Sequence, residues 1–194
     1  MVVADGQARE GNLRKTAPQV EPSHYFRRQY DEKRRFISYW HQLDEVISLS
    51  PRSVLEVGIG NSLVANYLKQ RGIRVTTLDI DKDLRPDYVG SLLAMPFPDG
   101  SFEVTACYEV LEHLPYENFR EALQEICRVT QRYVILSLPD CTRAYRVNIQ
   151  IPKVGELKRL VRLPRLRVPE HRFDGEHYWE IGKAGYPLGK VSSA

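Results

Sequence analysis

The feature that most constrains the fold is the segment Val54–Ser62, in which an apolar strand pattern runs directly into a turn with two glycines and then into a helical pattern. Glycine lets the backbone approach a ligand closely, and the first turn of a helix presents unpaired N–H groups. The segment therefore predicts a strand–turn–helix unit that can hold a nucleotide-like ligand. Tight turns of this kind also occur without ligands, so this segment alone leaves both interpretations open.

The chain repeats the same order of elements up to about residue 140. Helical patterns at 62–71 and 117–129 alternate with short apolar runs at 53–57, 74–78, 88–89, 104–107 and 133–138. This alternation predicts an α/β fold with a Rossmann-like, doubly wound and mainly parallel sheet that carries helices on both faces. A helix over 24–49 is predicted before it, ended by Ser50-Pro51. Its residues Tyr25 and Tyr30 either pack in the core or close over a ligand.

Two residues of the glycine turn discriminate between ligands. A dinucleotide site would favour a third glycine at position 63, for close approach to a pyrophosphate, and the chain has Leu63 there. Glu56 would lie badly beside a diphosphate but well beside a cationic amino group, whose hydrogen bonds a carboxylate accepts. The charge of the turn therefore favours S-adenosylmethionine (SAM) over NAD.

Asp79 follows the second predicted strand, about twenty residues after the glycine turn. A carboxylate at this place can accept hydrogen bonds from both ribose hydroxyls, and the neighbouring Ile80 can lie against an adenine ring. Asp79 as an ordinary helix N-cap is the alternative interpretation.

With three further segments, the turn resembles the class I SAM-dependent methyltransferases, and in particular the small-molecule group called type 11. The motifs are Glu56–Ser62, Asp79, Leu93–Val104 and Tyr108–His113, and the resemblance covers about 54–139. It implies SAM as the cofactor, with S-adenosylhomocysteine as the product. The cofactor-binding residues that it implies are Glu56, Gly58, Gly60, Asn61, Asp79, Ile80, Ser91, Leu92, Tyr108 and Glu109. Ser62 replaces a usual third glycine, and Ser91 replaces a usual acidic residue at the adenine edge.

The resemblance implies a SAM-dependent methyltransferase that acts on an unidentified small-molecule acceptor. If that acceptor must lose a proton, His113 or His177 is the candidate general base, and the sequence does not choose between them. The alternative is a methyltransferase-like SAM-binding or scaffold protein with weak or no catalysis, which Ser91 and an incomplete sheet would favour. An oxidoreductase using NAD is disfavoured by Leu63 and Glu56.

Basic residues concentrate between Cys141 and Arg172, where nine Lys or Arg face two Glu, although the formal net charge is only +3. We predict a strand at 145–151 and a basic amphipathic helix over 154–163. Residues 140–175 are expected to form a basic cap over the acceptor side of the pocket, suited to an anionic or membrane-associated acceptor. An ordinary solvated helix is the alternative. No nucleic-acid partner is expected, and the oligomeric state stays open, with a dimer as one alternative.

The ends of the chain and its metal-ligating residues complete the predictions. A flexible tail is expected at 1–22, followed by a single domain over 23–194, and the lack of an apolar leader favours a cytoplasmic protein. His171, Asp174, His177 and Glu180 are close in sequence but lack regular helical spacing, so no metal site is predicted. Type 11 sheets usually have seven strands, whereas this sequence stops after Ser193-Ala194, so we expect a C-terminally short sheet with an unpaired fifth-strand edge.

Overall fold

The computed structural model describes residues 18, 20–28, 30, 32–142, 144–153, 155–162 and 168–193. Its centre is a five-stranded sheet in which every adjacent pair of strands is parallel. The strands are β1 (Ser53–Val57), β2 (Arg74–Asp79), β3 (Tyr88–Val89), β4 (Phe102–Tyr108) and β5 (Thr130–Ser137), in the spatial order β3-β2-β1-β4-β5. The predicted doubly wound sheet is thereby confirmed.

Helices cover both faces of this sheet. They are α1 (Lys33–Ser48), α2 (Leu63–Gln70) and α3 (Phe119–Val129), with a short α4 (Leu188–Ser192) near the end. Successive side chains along a strand point to opposite faces of the sheet, so the residues of β1 contribute to two separate hydrophobic cores. Val54 packs with α1 and α2, whereas Leu55 and Val57 pack with α3 and with the segment around Trp179.

Trp179 anchors the segment 168–193 to the α3 face. Its side chain is fully buried, its Nε1 donates to the backbone oxygen of Leu114 at 3.1 Å, and its ring packs edge-on against Tyr116 and Phe119. The backbone amide of Tyr178 donates to the oxygen of Glu112 at 2.8 Å. These contacts fix the position of residues 176–180 against the turn that follows β4.

The N-terminal prediction is partly wrong. Residues 33–48 are helical as expected, but Pro22–Phe26 form a separate 3-10 turn and Tyr30 lies in a turn before α1. Aromatic residues recur along this part of the sequence without interruption, although the backbone is not helical between the 3-10 turn and α1. This break matters because it lets Tyr25 and Tyr30 lie over the glycine turn rather than along a helix.

The predicted basic helix over 154–163 is also wrong, while the strand predicted at 145–151 is confirmed. Residues Ala144–Ile151 and Gly155–Arg162 form an antiparallel hairpin, β6 and β7, outside the main sheet. Leu157 lies opposite Ile149, and Val161 lies opposite Tyr145. All four side chains are exposed, so the hairpin presents an apolar face to solvent.

The edge prediction agrees with the structure. Among the described residues, β5 pairs only with β4, and Tyr133 and Leu136 on it are exposed. None of the helices in the described part of the chain has both the length and the apolar character needed to cross a membrane.

Candidate cofactor and acceptor site

A single cavity opens at the carboxyl ends of β1, β2 and β4, where parallel strands place their following loops side by side. All ten residues that the sequence assigns to cofactor binding line it, and so does His113. His177 does not belong to the described cavity wall, but its ring packs edge-on against that of His113 with the centroids 5.0 Å apart. The sequence-predicted residues are therefore brought together at one place.

The glycine turn packs directly against the loop after β4. Gly58 has a φ of +79° and Gly60 a φ of +48°, both in the left-handed region. A Cβ on Gly58 would clash with Cγ2 of Val110. Only glycine therefore fits at position 58, because both the backbone angle and the neighbouring side chain exclude a larger residue.

Asp79 ties the end of β2 to the glycine turn. Its Oδ2 accepts a hydrogen bond from the amide of Ile59 at 2.9 Å, and its Oδ1 accepts from the amide of Asp81 at 2.9 Å. Burial raises the pKa of Asp79, and these two amides oppose that rise. Each carboxylate oxygen has a second lone pair, so Asp79 can hold the loop and still accept from a ligand.

Glu56 lies in the cavity wall and is only 3% exposed. Burial raises its pKa to about 8, against a hydrogen bond from the Ala65 amide and the charge of Lys69. Its Oε2 has no hydrogen-bond partner among the described residues. A buried carboxylate oxygen without a partner, in a residue that lines a cavity, is suited to a cationic ligand.

The remaining assigned residues occupy the rest of the wall. Asn61 Oδ1 accepts from the amide of Leu63, and Ser91 Oγ accepts from the amide of Leu93. Each of these polar side chains therefore stabilises the loop in which it lies. Ile80 and Leu92 supply apolar wall on the β2 side, where a flat ring would be accommodated.

Tyr108 and Glu109 follow β4. The hydroxyl of Tyr108 donates to the backbone oxygen of Gln42 on α1 at 3.2 Å. Glu109 has a φ of +54°, and its Oε1 accepts from the hydroxyl of Ser137 at 2.9 Å. A non-glycine residue in this region costs about 1–3 kcal/mol and marks a constrained position.

The sequence left two interpretations of Tyr25 and Tyr30 open, and the structure places both residues at the roof of the cavity. A Cβ on Gly60 would lie 3.5 Å from the Tyr25 ring and 3.7 Å from the Tyr30 hydroxyl, and these two rings pack edge-on against each other. Tyr39, Gln42 and Arg35 of α1 complete this side. The aromatic enrichment before β1 was the available signal, and the interpretation in which Tyr25 and Tyr30 cover the ligand agrees with the structure.

Glu112, His113 and His177 form a second group at the edge of the cavity, which we call the histidine–carboxylate cluster. One ligand atom from each residue lies within 4.8 Å of those of the other two. Burial and, to a lesser extent, the nearby carboxylate of Glu109 raise the pKa of Glu112 to about 9. Burial lowers the pKa of His113. The side chain of Glu112 is fully buried.

The charged residues in the cavity wall are mostly acidic. Glu56, Asp79, Asp81 and Glu109 line it, whereas Arg35 is the one Lys or Arg among its described lining residues. Such a wall opposes a diphosphate and attracts a cation. The fold and this site together define a Rossmann-like domain with a strand-end cavity whose charged lining residues are mostly acidic.

Comparison with known proteins shows what the central part of the chain is similar to. The family model described as "Methyltransferase domain" matches residues 55–137, which run from β1 to the end of β5.

The curated relatives share this core only. The chain is 30% identical over 89 residues to the ubiquinone biosynthesis O-methyltransferase of Stutzerimonas stutzeri and 31% identical over 90 residues to that of Pseudomonas entomophila. In both cases the match covers 38% of this chain and 38% of the relative.

Among solved structures, a SAM-dependent methyltransferase from Archaeoglobus fulgidus superposes with a TM-score of 0.53 at 20% identity. That similarity covers 64% of this chain and 62% of the other. It supports the fold.

Proposed function

We propose that this protein binds SAM in the acidic strand-end cavity and transfers its methyl group to an oxygen of a small-molecule acceptor. The observation that carries the proposal is the buried Glu56, which lines the cavity beside the glycine turn and whose Oε2 has no hydrogen-bond partner among the described residues. SAM carries a positive sulfonium and a positive α-ammonium group, and the acidic wall complements both. A dinucleotide would bring two phosphates to the same carboxylates.

Each part of the wall has a role in this proposal. Glu56 accepts from the α-ammonium group, and Asp79 accepts from the ribose hydroxyls while it holds the Ile59 amide. Ile80 and Leu92 contact the adenine, and the Ser91 hydroxyl lies near its edge. Tyr25 and Tyr30 cover the cofactor and exclude water. Tyr108 and Glu109 lie beside the reacting groups.

When bound, SAM supplies an electrophilic methyl carbon, so the chain's main task is to orient the acceptor and exclude water. The relatives' names, which specify O-methylation, support oxygen as the attacking atom. His113 lines the cavity and packs against His177, so the acceptor hydroxyl is ionised at this pair of rings.

The hairpin of β6 and β7 supports an acceptor that is delivered at an anionic lipid surface. It carries five Lys or Arg and one Glu between Ala144 and Arg162. Its exposed apolar side chains include Tyr145, Ile149, Leu157 and Val161. Apolar side chains that enter a lipid layer beside basic residues that meet its headgroups are a common membrane-surface arrangement.

The test is calorimetric titration of the full chain with SAM, S-adenosylhomocysteine and NAD, followed by a turnover assay with small phenols and catechols. We expect SAM and S-adenosylhomocysteine to bind and NAD to give no signal. NAD binding without SAM binding would overturn the proposal. SAM binding without turnover on any phenol or catechol would contradict the O-methylation part and favour a methyltransferase-like binding protein.

A further inference from the structure

We propose that the open edge of β5 is the interface through which two copies of this chain associate. The edge is formed by Tyr133–Ser137, which among the described residues pair with β4 on one side only. The interface is independent of the cofactor assignment, because neither Tyr133 nor Leu136 lines the cavity. A second copy of the chain fits this edge because the segment is complementary to itself.

The centre of β5 lacks the features that normally protect an open edge from association, which are charged side chains, prolines and bulges. The register shift against β4 precedes Tyr133 and includes Arg132, the one charged residue of the strand. Pro139 follows the strand, and its backbone oxygen accepts from the amide of Ile181 at 3.0 Å. Residues 133–137 therefore form an open segment without a charge or a proline.

The backbone of this segment has donors and acceptors that point away from β4. The backbone oxygen of Ser137 accepts from the amide of Glu109 at 3.0 Å, so Ser137 directs its peptide groups toward the β4 side. Successive residues of a strand direct these groups alternately to its two sides. Those of Val134 and Leu136 therefore point outward, where no strand among the described residues pairs with them.

The length of the open segment selects one register for a second copy. Residues 133–137 are centred on Ile135, so an antiparallel copy pairs with the whole segment only when Ile135 lies opposite the partner's Ile135. Val134 then lies opposite the partner's Leu136 and exchanges two hydrogen bonds with it. The reverse pair does the same, which gives about four backbone hydrogen bonds across the interface. A single two-fold axis relates the copies, as in most homodimers.

The side chains are compatible with this register. Tyr133 and Leu136 are 44% and 36% exposed in the single chain, and association would cover part of each. Val134 would contact the partner's Leu136, an apolar pair. The two Arg132 side chains would lie at opposite ends of the paired segment, so like charges would not face each other.

Association would join two five-stranded sheets into one continuous sheet. Because the copies pair in antiparallel fashion, their strand-end cavities would open at opposite edges of that sheet, and both would stay accessible. A five-residue ladder is smaller than a standard protein interface, so we expect a dissociation constant on the order of 10–100 µM.

The experiment is sedimentation equilibrium of the full chain between about 5 and 500 µM, where we expect monomer and dimer to exchange. Tyr133→Lys with Leu136→Lys should weaken dimerisation by about tenfold or more, because lysine on an edge strand opposes pairing. Tyr67→Lys with Leu188→Lys is the matched control, since these side chains are similarly exposed on α2 and α4. The control should dimerise like the wild type.

Oxidative cross-linking tests the register, in a Cys127→Ser background that removes the exposed native thiol. The two copies of Ile135 would form a non-hydrogen-bonded pair with Cα atoms about 4.5 Å apart, a distance that a disulfide spans. Ile135→Cys should therefore yield a covalent dimer. Leu136→Cys should not, because its two copies would lie diagonally, about 7–8 Å apart.

A chain that stays monomeric at about 500 µM overturns the proposal. So does an unchanged dissociation constant in a folded chain that carries both lysines, because the contact then lies elsewhere. Cross-linking of Leu136→Cys without cross-linking of Ile135→Cys would show that the strands pair in another register or with another segment, and would also overturn it.

Discussion

The carboxylate of Asp79, at the end of β2, accepts a hydrogen bond from the backbone amide of Ile59 in the glycine turn at 2.9 Å. One side chain thus joins the two loops that would hold opposite ends of the cofactor.

Replacing Asp79 with Ala should weaken SAM binding by tenfold or more, about 1.4 kcal/mol, because the ribose contact and the loop support are lost together. Calorimetric titration measures this affinity. Asp87→Ala is the control, because Asp87 bonds Thr77 and Lys69 and does not line the cavity. Equal SAM affinity in wild type and in a folded Asp79→Ala chain would remove the assignment.

Replacing Gly58 with Ala should destabilise the fold by more than the backbone angle alone explains. Gly72 provides the comparison, because it has a similar φ of +83° and nothing within 4 Å of its would-be Cβ. We expect Gly72→Ala to cost about 1–2 kcal/mol in the free energy of unfolding, and Gly58→Ala at least about 1 kcal/mol more, since Val110 must move. Denaturant titration measures both.

Adding Val110→Ala to the Gly58→Ala chain should recover that additional loss. If Gly58→Ala and Gly72→Ala cost the same, the tight contact between the glycine turn and the loop after β4 is wrong.

Cofactor binding should release a proton below about pH 8. Burial holds the pKa of Glu56 at about 8, against an ordinary value of 4.5, and the α-ammonium group of SAM favours the ionised form. Titrations at pH 7 in buffers with different ionisation enthalpies report the proton count. We expect the release to fall in Glu56→Gln, and an unchanged count in that variant would assign the proton to another group.

The same raised pKa has a consequence for the protein without cofactor. The folded state keeps the Glu56 proton over a range where the unfolded chain has lost it, so this contribution to stability is complete below about pH 4.5 and is lost as the pH rises to about 8. The difference in unfolding free energy between wild type and Glu56→Gln should therefore change across this window. A constant difference would contradict the pKa assigned to Glu56.

The hairpin should bind anionic vesicles through its apolar face. Ile149 and Leu157 lie opposite each other, and replacing both with Ser should weaken binding to vesicles that contain phosphatidylglycerol by tenfold or more. Co-sedimentation measures the bound fraction. Phe36→Ser with Ile37→Ser is the control, because these exposed residues lie on α1. Equal recovery of wild type on neutral and anionic vesicles would argue against this role.

The sheet and the cofactor wall could be predicted because their signals are local. Glu56, Gly58, Gly60 and Asp79 each sit at a strand end that the apolar runs reveal, and parallel strands bring such ends together without knowledge of any long-range contact. The bounds of β1 and β3 were predicted to the residue for the same reason.

The histidine–carboxylate cluster could not be predicted in this way. His113 and His177 meet because Trp179 packs edge-on against Tyr116 and Phe119, and these contacts join residues that are sixty or more positions apart. The hairpin was misread because Leu157, Leu160 and Val161 also fit helical spacing. Residues 155–162 form a strand because they pair with residues 144–151. The spacing of apolar residues within one segment does not reveal such a pairing.

The position of the Tyr25 and Tyr30 rings above Gly60 has a consequence for the turnover rate of the proposed enzyme. A cofactor seated against the glycine turn would lie beneath these rings, and the product would then leave only after the segment around Pro22–Phe26 moved. Residence time of the product, rather than bond-making, would then limit each cycle. Movement of the N-terminal aromatic residues would then set the turnover rate of the protein, although these residues lie outside the region that matches the methyltransferase family model.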